Sequence, residues 1–80
     1  MTRKKKLIQK AISGSELTIS ELCSLAESLG FEFRNQNGSH RIYKHPKLKG
    51  TMNFQPDKNN KARKYQLRQL IDFAMDNDLI

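Results

Sequence analysis

Between residues 18 and 30, apolar side chains recur at Ile19, Leu22, Cys23, Ala26 and Leu29, the spacing of a helix that buries one face. Thr18 and Glu21 stand at the separation of a capping box and Gly30 supplies a C-terminal stop, so "TISELCSLAESLG" is predicted to be a helix. Upstream, Leu7, Ile8, Ala11 and Ile12 share one face of a shorter basic helix that breaks at "SGS". From Phe31 the period changes from 3.6 to two. "FEFRNQ", "SHRIYKH" and "TMNFQ" are rich in aromatic and β-branched residues, and "NG" and "PKLKG" separate them. This is the pattern of a three-stranded antiparallel meander within residues 31–56. Phe31, Phe33, Ile42, Met52 and Phe54 are expected to form the sheet's share of the core, against Leu22, Leu29, Leu70 and Ile71. After the polar "PDKNNKA", Leu67, Leu70, Ile71, Ala74 and Met75 restore a helical face almost to the C-terminus. The order is ααβββα, an α+β chain with helices against an antiparallel sheet.

Eighty residues, 36% of them hydrophobic, suffice for one small domain. Residues 1–15 are expected to add a basic helix to a core spanning 18–80. A single cysteine, Cys23, falls in the apolar stripe of the second helix, where it reads as a small buried hydrophobe. It can neither close an internal disulfide nor complete a zinc set, which fits a reducing compartment, the cytoplasm by default. Gln9, Lys10 and Ser13 interrupt what would be the core of a signal peptide, and no stretch is long enough for a bilayer, so no membrane partner is expected.

Charge changes the picture most. The formal net charge is +7 and the pI about 9.9, which favours a polyanionic partner. Arg34, Arg41, Lys44, Lys47, Lys49, Lys58, Lys61, Arg63, Lys64 and Arg68 face a single acid, Asp57, between residues 34 and 68. Ordinary surfaces intersperse the two signs, so this segregation reads as a phosphate-facing surface. Lys61, Arg63 and Lys64 crowd the start of the last helix, where the macrodipole disfavours cations unless an anion docks. The competing reading is a poorly capped helix end whose side chains point into water.

Both histidines lie in "NQNGSHRIYKHP". His40 follows the Asn37–Gly38 turn signal, which places its ring at a rigid strand end, with Ser39 beside it and Arg41 and Lys44 on the same strand. His45 closes that strand with the opposite parity, so the two rings face opposite ways and no carboxylate cluster completes a metal set. No metal or other cofactor is expected. Imidazole titrates near neutral pH and can take a proton from a ribose 2′-OH or give one to a leaving 5′-oxygen, while nearby cations stabilise charge building on the phosphate. Cleavage by the substrate's own 2′-OH requires no metal ion.

"LCSLAESLGFEFRNQNGSHRIYKHP", followed by "MNFQP" and "KARKYQLRQLIDF", resembles the HicA-type mRNA interferase toxins, in particular the branch with an extra N-terminal helix. The likeness covers roughly residues 18 to 73. It rests on the Gly-Phe pair, the Gly-Ser-His-x-Ile-aromatic-x-His-Pro signature and the Tyr-Gln-x-x-Gln segment. It implies a double-stranded-RNA-binding-like fold with helices on one face of the sheet, endoribonuclease activity on mRNA, and an antitoxin of the HicB type. Gly38 and Ser39 match the signature turn, His40 the catalytic histidine, and His45 the histidine before proline. Lys64 departs from the proline that many relatives of that branch carry before the tyrosine.

On this reading His40 is the general acid or base, and Ser39, Arg41, Lys44, His45, Lys61, Arg63, Lys64 and Arg68 contact RNA. Single-stranded RNA is the expected substrate, because in-line attack needs a backbone freer than a duplex allows. The alternative is a non-catalytic basic RNA-binding module with the same charges, which only His40 separates sharply. A DNA-binding regulator suits the charge but lacks a helix-turn-helix pattern.

Overall fold

The computed structural model describes residues 3–80, with side chains from residue 5 onward. In chain order it contains α1 (Arg3–Ile12), α2 (Ile19–Ser28), β1 (Glu32–Asn37), β2 (His40–Lys44), β3 (Met52–Phe54) and α3 (Lys64–Asp76). The first two residues of the expected N-terminal helix lie outside the described residues, and the helix stops at Ile12 rather than at residue 15. The strands form one antiparallel sheet in the order β1-β2-β3, and the helices cover one of its faces. This is the α+β, double-stranded-RNA-binding-like architecture that the periodicity and the family resemblance imply.

The predicted capping box is present at the start of α2. Thr18 Oγ1 accepts the Glu21 backbone N–H at 3.1 Å, and Glu21 Oε1 accepts the Thr18 N–H at 2.9 Å. Glu21 also pairs with Lys10 at 3.1 Å, so one carboxylate both caps α2 and docks α1 on it. A loop strapped to this end, with Ala62 N–H donating to Leu17 O at 2.8 Å and Ile19 N–H to Asn60 O at 3.1 Å, leads the chain into α3.

Gly38 and Ser39 form the two-residue β1–β2 turn. Gly38 has φ +63 while Ser39 is not among the positive-φ residues, the combination of a type II′ hairpin. A bulge leaves Arg34 unpaired between the Phe33↔Tyr43 and Asn35↔Ile42 pairs.

Phe54, Leu17, Ile19, Leu22, Leu25 and Leu70 are fully buried, and Phe31, Leu29 and Met52 join them. Two expected core residues are not there. Tyr43 pairs with Met52 and Arg41 with Phe54; because paired residues share a face, these positions point to the helices and Ile42, paired with Asn53, points away. Tyr43 therefore fills the place assigned to Ile42. Phe33 shares Tyr43's face but sits on the outer strand, 51% exposed, with its ring edge-on to Tyr43 at 5.6 Å. Ile12 and Met75 likewise lie outside the core.

The Tyr43 hydroxyl donates to Glu27 Oε2 at 2.8 Å, tying β2 to α2. Burial first, then this bond and the neighbouring Cys23, pushes the phenol well above the ordinary tyrosine value. Cys23 is itself partly buried, and that burial raises its thiol. No helix among the described residues is long and apolar enough to cross a membrane.

Candidate active site and nucleic-acid interface

Strand alternation places His40, Ile42 and Lys44 on the sheet face that the helices leave open. There His40 Nδ1 lies 3.0 Å from Asn53 Oδ1 on β3. The amide oxygen can only accept, so Nδ1–H is the donor in this contact, and in the neutral ring that leaves the lone pair on Nε2. The turn fixes the backbone on one side of the ring and Asn53 fixes its tautomer on the other.

Beside His40 is a depression of about 240 Å³, lined by Thr51, Asn53 and Gln55 from the β3 segment and by Tyr65, Gln66 and Gln69 from α3. Gln66 is buried, and its Oε1 accepts the Gln55 backbone N–H at 2.9 Å, holding the start of α3 against the end of β3. Gln55 Nε2 donates to Ser39 Oγ at 3.3 Å, so the turn serine belongs to the same polar cluster.

Lys61, Arg63, Lys64 and Arg68 form a second group. They line a groove of about 890 Å³ between the end of α1 and the outer face of α3. Tyr65 lines both hollows, so the ridge it forms joins the cationic groove to the His40 depression. The first turn of α3 contains no acid, and no side chain caps it. Lys64 and Arg68 are exposed, Arg68 in a loose pair with Asp72 at 3.5 Å. Arg63 is more constrained, since its Nη2 donates to Pro56 O at 3.3 Å and its Nε is buried with no partner among the described residues.

The lone acid of the basic segment has a structural task. Asp57 Oδ1 accepts the Asn59 and Lys61 backbone N–H groups at 2.8 and 2.9 Å and holds the tight turn in which Asn60 has φ +62. The Lys61 N–H, above all, keeps this carboxyl below the usual aspartate value.

Two residues expected at the RNA surface are placed elsewhere. His45 is only 6% exposed, packed between the rings of Phe31 (4.8 Å) and Phe73 (5.3 Å). Its Nδ1 accepts the Lys47 N–H at 3.0 Å and its Nε2 donates to Leu29 O at 3.1 Å. With both nitrogens engaged inside the protein it packs and does not reach a phosphate. Arg41 adjoins His40 in sequence but points, like Phe54, to the helix face, so it does not share the histidine's surface. Lys44 does.

Residue types alone do not single out Asn53, Gln55, Gln66 and Tyr65; the Tyr-Gln-x-x-Gln segment was the available signal for the last two. Among the described residues, no three His, Cys, Asp or Glu side chains gather where they could hold a metal ion.

Comparison with curated proteins and with solved structures finds no match. Comparison with protein families does: residues 19–74, more than half the chain and the segment carrying His40, Asn53 and the start of α3, match the family described as HicA toxin of bacterial toxin–antitoxin. The chain thus belongs to the HicA toxin family.

Proposed function

We propose that this toxin acts as an endoribonuclease on mRNA, with His40 as its acid–base group, and that the antitoxin partner its family implies is of the HicB type. The observation that supports this best is the 3.0 Å contact between His40 Nδ1 and Asn53 Oδ1 on an open sheet face. In its neutral form an imidazole so oriented presents the Nε2 lone pair.

In the proposed reaction Nε2 takes the proton of a ribose 2′-OH. The 2′-oxygen bonds to the adjacent phosphorus, and the P–O5′ bond breaks. The departing 5′-oxygen takes a proton from water, leaving a 2′,3′-cyclic phosphate and a 5′-hydroxyl. The nucleophile belongs to the substrate, so the step itself calls for no bound ion. Lys44 on the same face and Lys61, Lys64 and Arg68 at the neighbouring groove supply positive charge for the phosphates, with Ser39 at the turn. The exposed Lys64 adds charge at a helix start that proline would have stiffened.

End analysis of the products tests the route. Single-stranded RNA should give 2′,3′-cyclic phosphate and 5′-hydroxyl termini, and replacing the ribose by 2′-deoxyribose throughout should stop cleavage. Cutting of the deoxy strand at the same rate, or 5′-phosphate products, would rule out attack by the 2′-OH.

A further inference from the structure

Tyr65 is the largest exposed aromatic surface near His40, 66% accessible, yet its ring is tethered. Its hydroxyl accepts a hydrogen bond from Gln66 Nε2 at 3.3 Å, and Gln66, 4% exposed, is held in turn by the Gln55 N–H. A buried amide with both ends engaged thus holds a solvent-facing ring at the rim of the depression that contains His40. Such rigidity does little for stability, because the ring buries little area. It does reduce the entropy lost when a flat ligand stacks on it.

The depression itself is lined by side chains rich in amides. The side chains of Gln69 and Thr51 have no hydrogen-bond partners among the described residues, and Asn53 uses its Oδ1 for His40 while its Nδ2 has no such partner. Unpaired amide and hydroxyl groups beside an aromatic platform suit a ligand with a π-face and a polar edge carrying both donors and acceptors. A nucleobase has both, and Asn and Gln amides match base edges in geometry. The cationic groove on the other side of Tyr65 matches the strand's phosphates rather than its bases.

We propose that the hollow between β3 and α3 is a nucleobase subsite, in which a base next to the scissile phosphate stacks on Tyr65 and meets the Asn53 and Gln69 amides. The subsite places the ribose against His40, and it draws single-stranded RNA because a base held in a duplex cannot reach the ring. The inference rests on the ribonuclease reading above and names how that site grips its substrate.

The test measures binding, so it does not depend on cleavage. The probes are an eight-nucleotide 2′-fluoro oligoadenosine strand, which lacks the nucleophile, and a strand of the same length and backbone with abasic sugars. The wild-type protein should bind the base-bearing strand about tenfold more tightly, the scale of one stacked base. Tyr65→Ala should abolish that difference while leaving affinity for the abasic strand unchanged, and Tyr65→Phe should keep most of it. Equal wild-type affinity for the two strands, as expected if the hollow serves only a protein partner, would overturn the proposal. So would a Tyr65→Ala variant that weakens both strands alike. The catalytic assignment is read separately, from cleavage of an all-ribose strand by His40→Ala, so its failure and failure of the base subsite give different results.

Discussion

The two histidines, one opening β2 and the other just past its end, lie in opposite surroundings because the alternation sends their rings to opposite faces. His45 joins the interior: Phe31 and Phe73 pack against it, Leu29 O and the Lys47 N–H satisfy it, and Gly30 (φ +96) leaves room for it. A Cβ on Gly30 would come within 3.1 Å of the His45 Nε2. His45→Ala should therefore leave a cavity and two unpaired backbone groups and lower stability by about 2–4 kcal/mol in urea unfolding. Unchanged stability would mean the ring is not structural. Asn53→Ala should act differently. It frees the His40 ring to change tautomer, so cleavage should lose part of the roughly hundred- to ten-thousand-fold that acid–base help supplies. The urea midpoint should barely move; an unaltered cleavage rate would show that Asn53 does not orient the ring. That the two rings face opposite ways was legible from parity; that His45 is buried in the core was not. Asn53 was not, because nothing in the order of residues says which of β3's polar side chains stands diagonal to His40.

At the scale of elements, Glu21 does the most with one side chain. The Thr18 N–H first, and then Lys10, hold its carboxyl below the ordinary glutamate value, against burial, which pushes it up. A carboxylate depressed in the folded state contributes stability that is fully present above its unfolded value, about pH 4.3, and is lost as pH falls through the lower folded value. Glu21→Gln should flatten the stability profile in that acid range, and Glu21→Ala should cost about 1 kcal/mol at neutral pH, both measurable by urea unfolding. The capping box could be read directly because it is local: two side chains three residues apart in the chain are enough to define it. The sheet's register could not. Ile42 and Phe33 look as apolar as Tyr43 and Met52, and the pairing that turns Ile42 outward, together with the bulge at Arg34, depends on how separate strands align. Leu17 and Leu25 were also missed, although both are fully buried. The first precedes its helix, held by the loop that Ala62 straps down; the second widens α2's apolar stripe beyond the spacing used to define it.

Across the whole molecule, the cationic groove and the open sheet face meet at Tyr65; under the proposed function the cations attract the strand and His40 acts on it. Affinity for single-stranded RNA should fall steeply with salt. Replacing Lys61, Arg63 and Lys64 together by glutamine should reduce the slope of log affinity against log salt by about 2, with Arg63 the smallest contributor because Pro56 already engages its guanidinium. An unchanged slope would return these residues to solvent-facing roles. The basic segment was visible in the sequence as a run of one sign, but its division between a groove and the open sheet face needed the fold, which sets Lys44 and Arg41 on different sides of one strand. The proposed function depends above all on His40. Its most direct test is the single-turnover rate of cleavage of a single-stranded RNA by folded His40→Ala protein, compared with the wild type in the presence of chelator. The expected loss is about a hundred- to ten-thousand-fold with RNA affinity nearly intact; cleavage by His40→Ala at the wild-type rate would remove His40 from the chemistry and leave a basic RNA-binding protein whose catalyst, if any, is elsewhere.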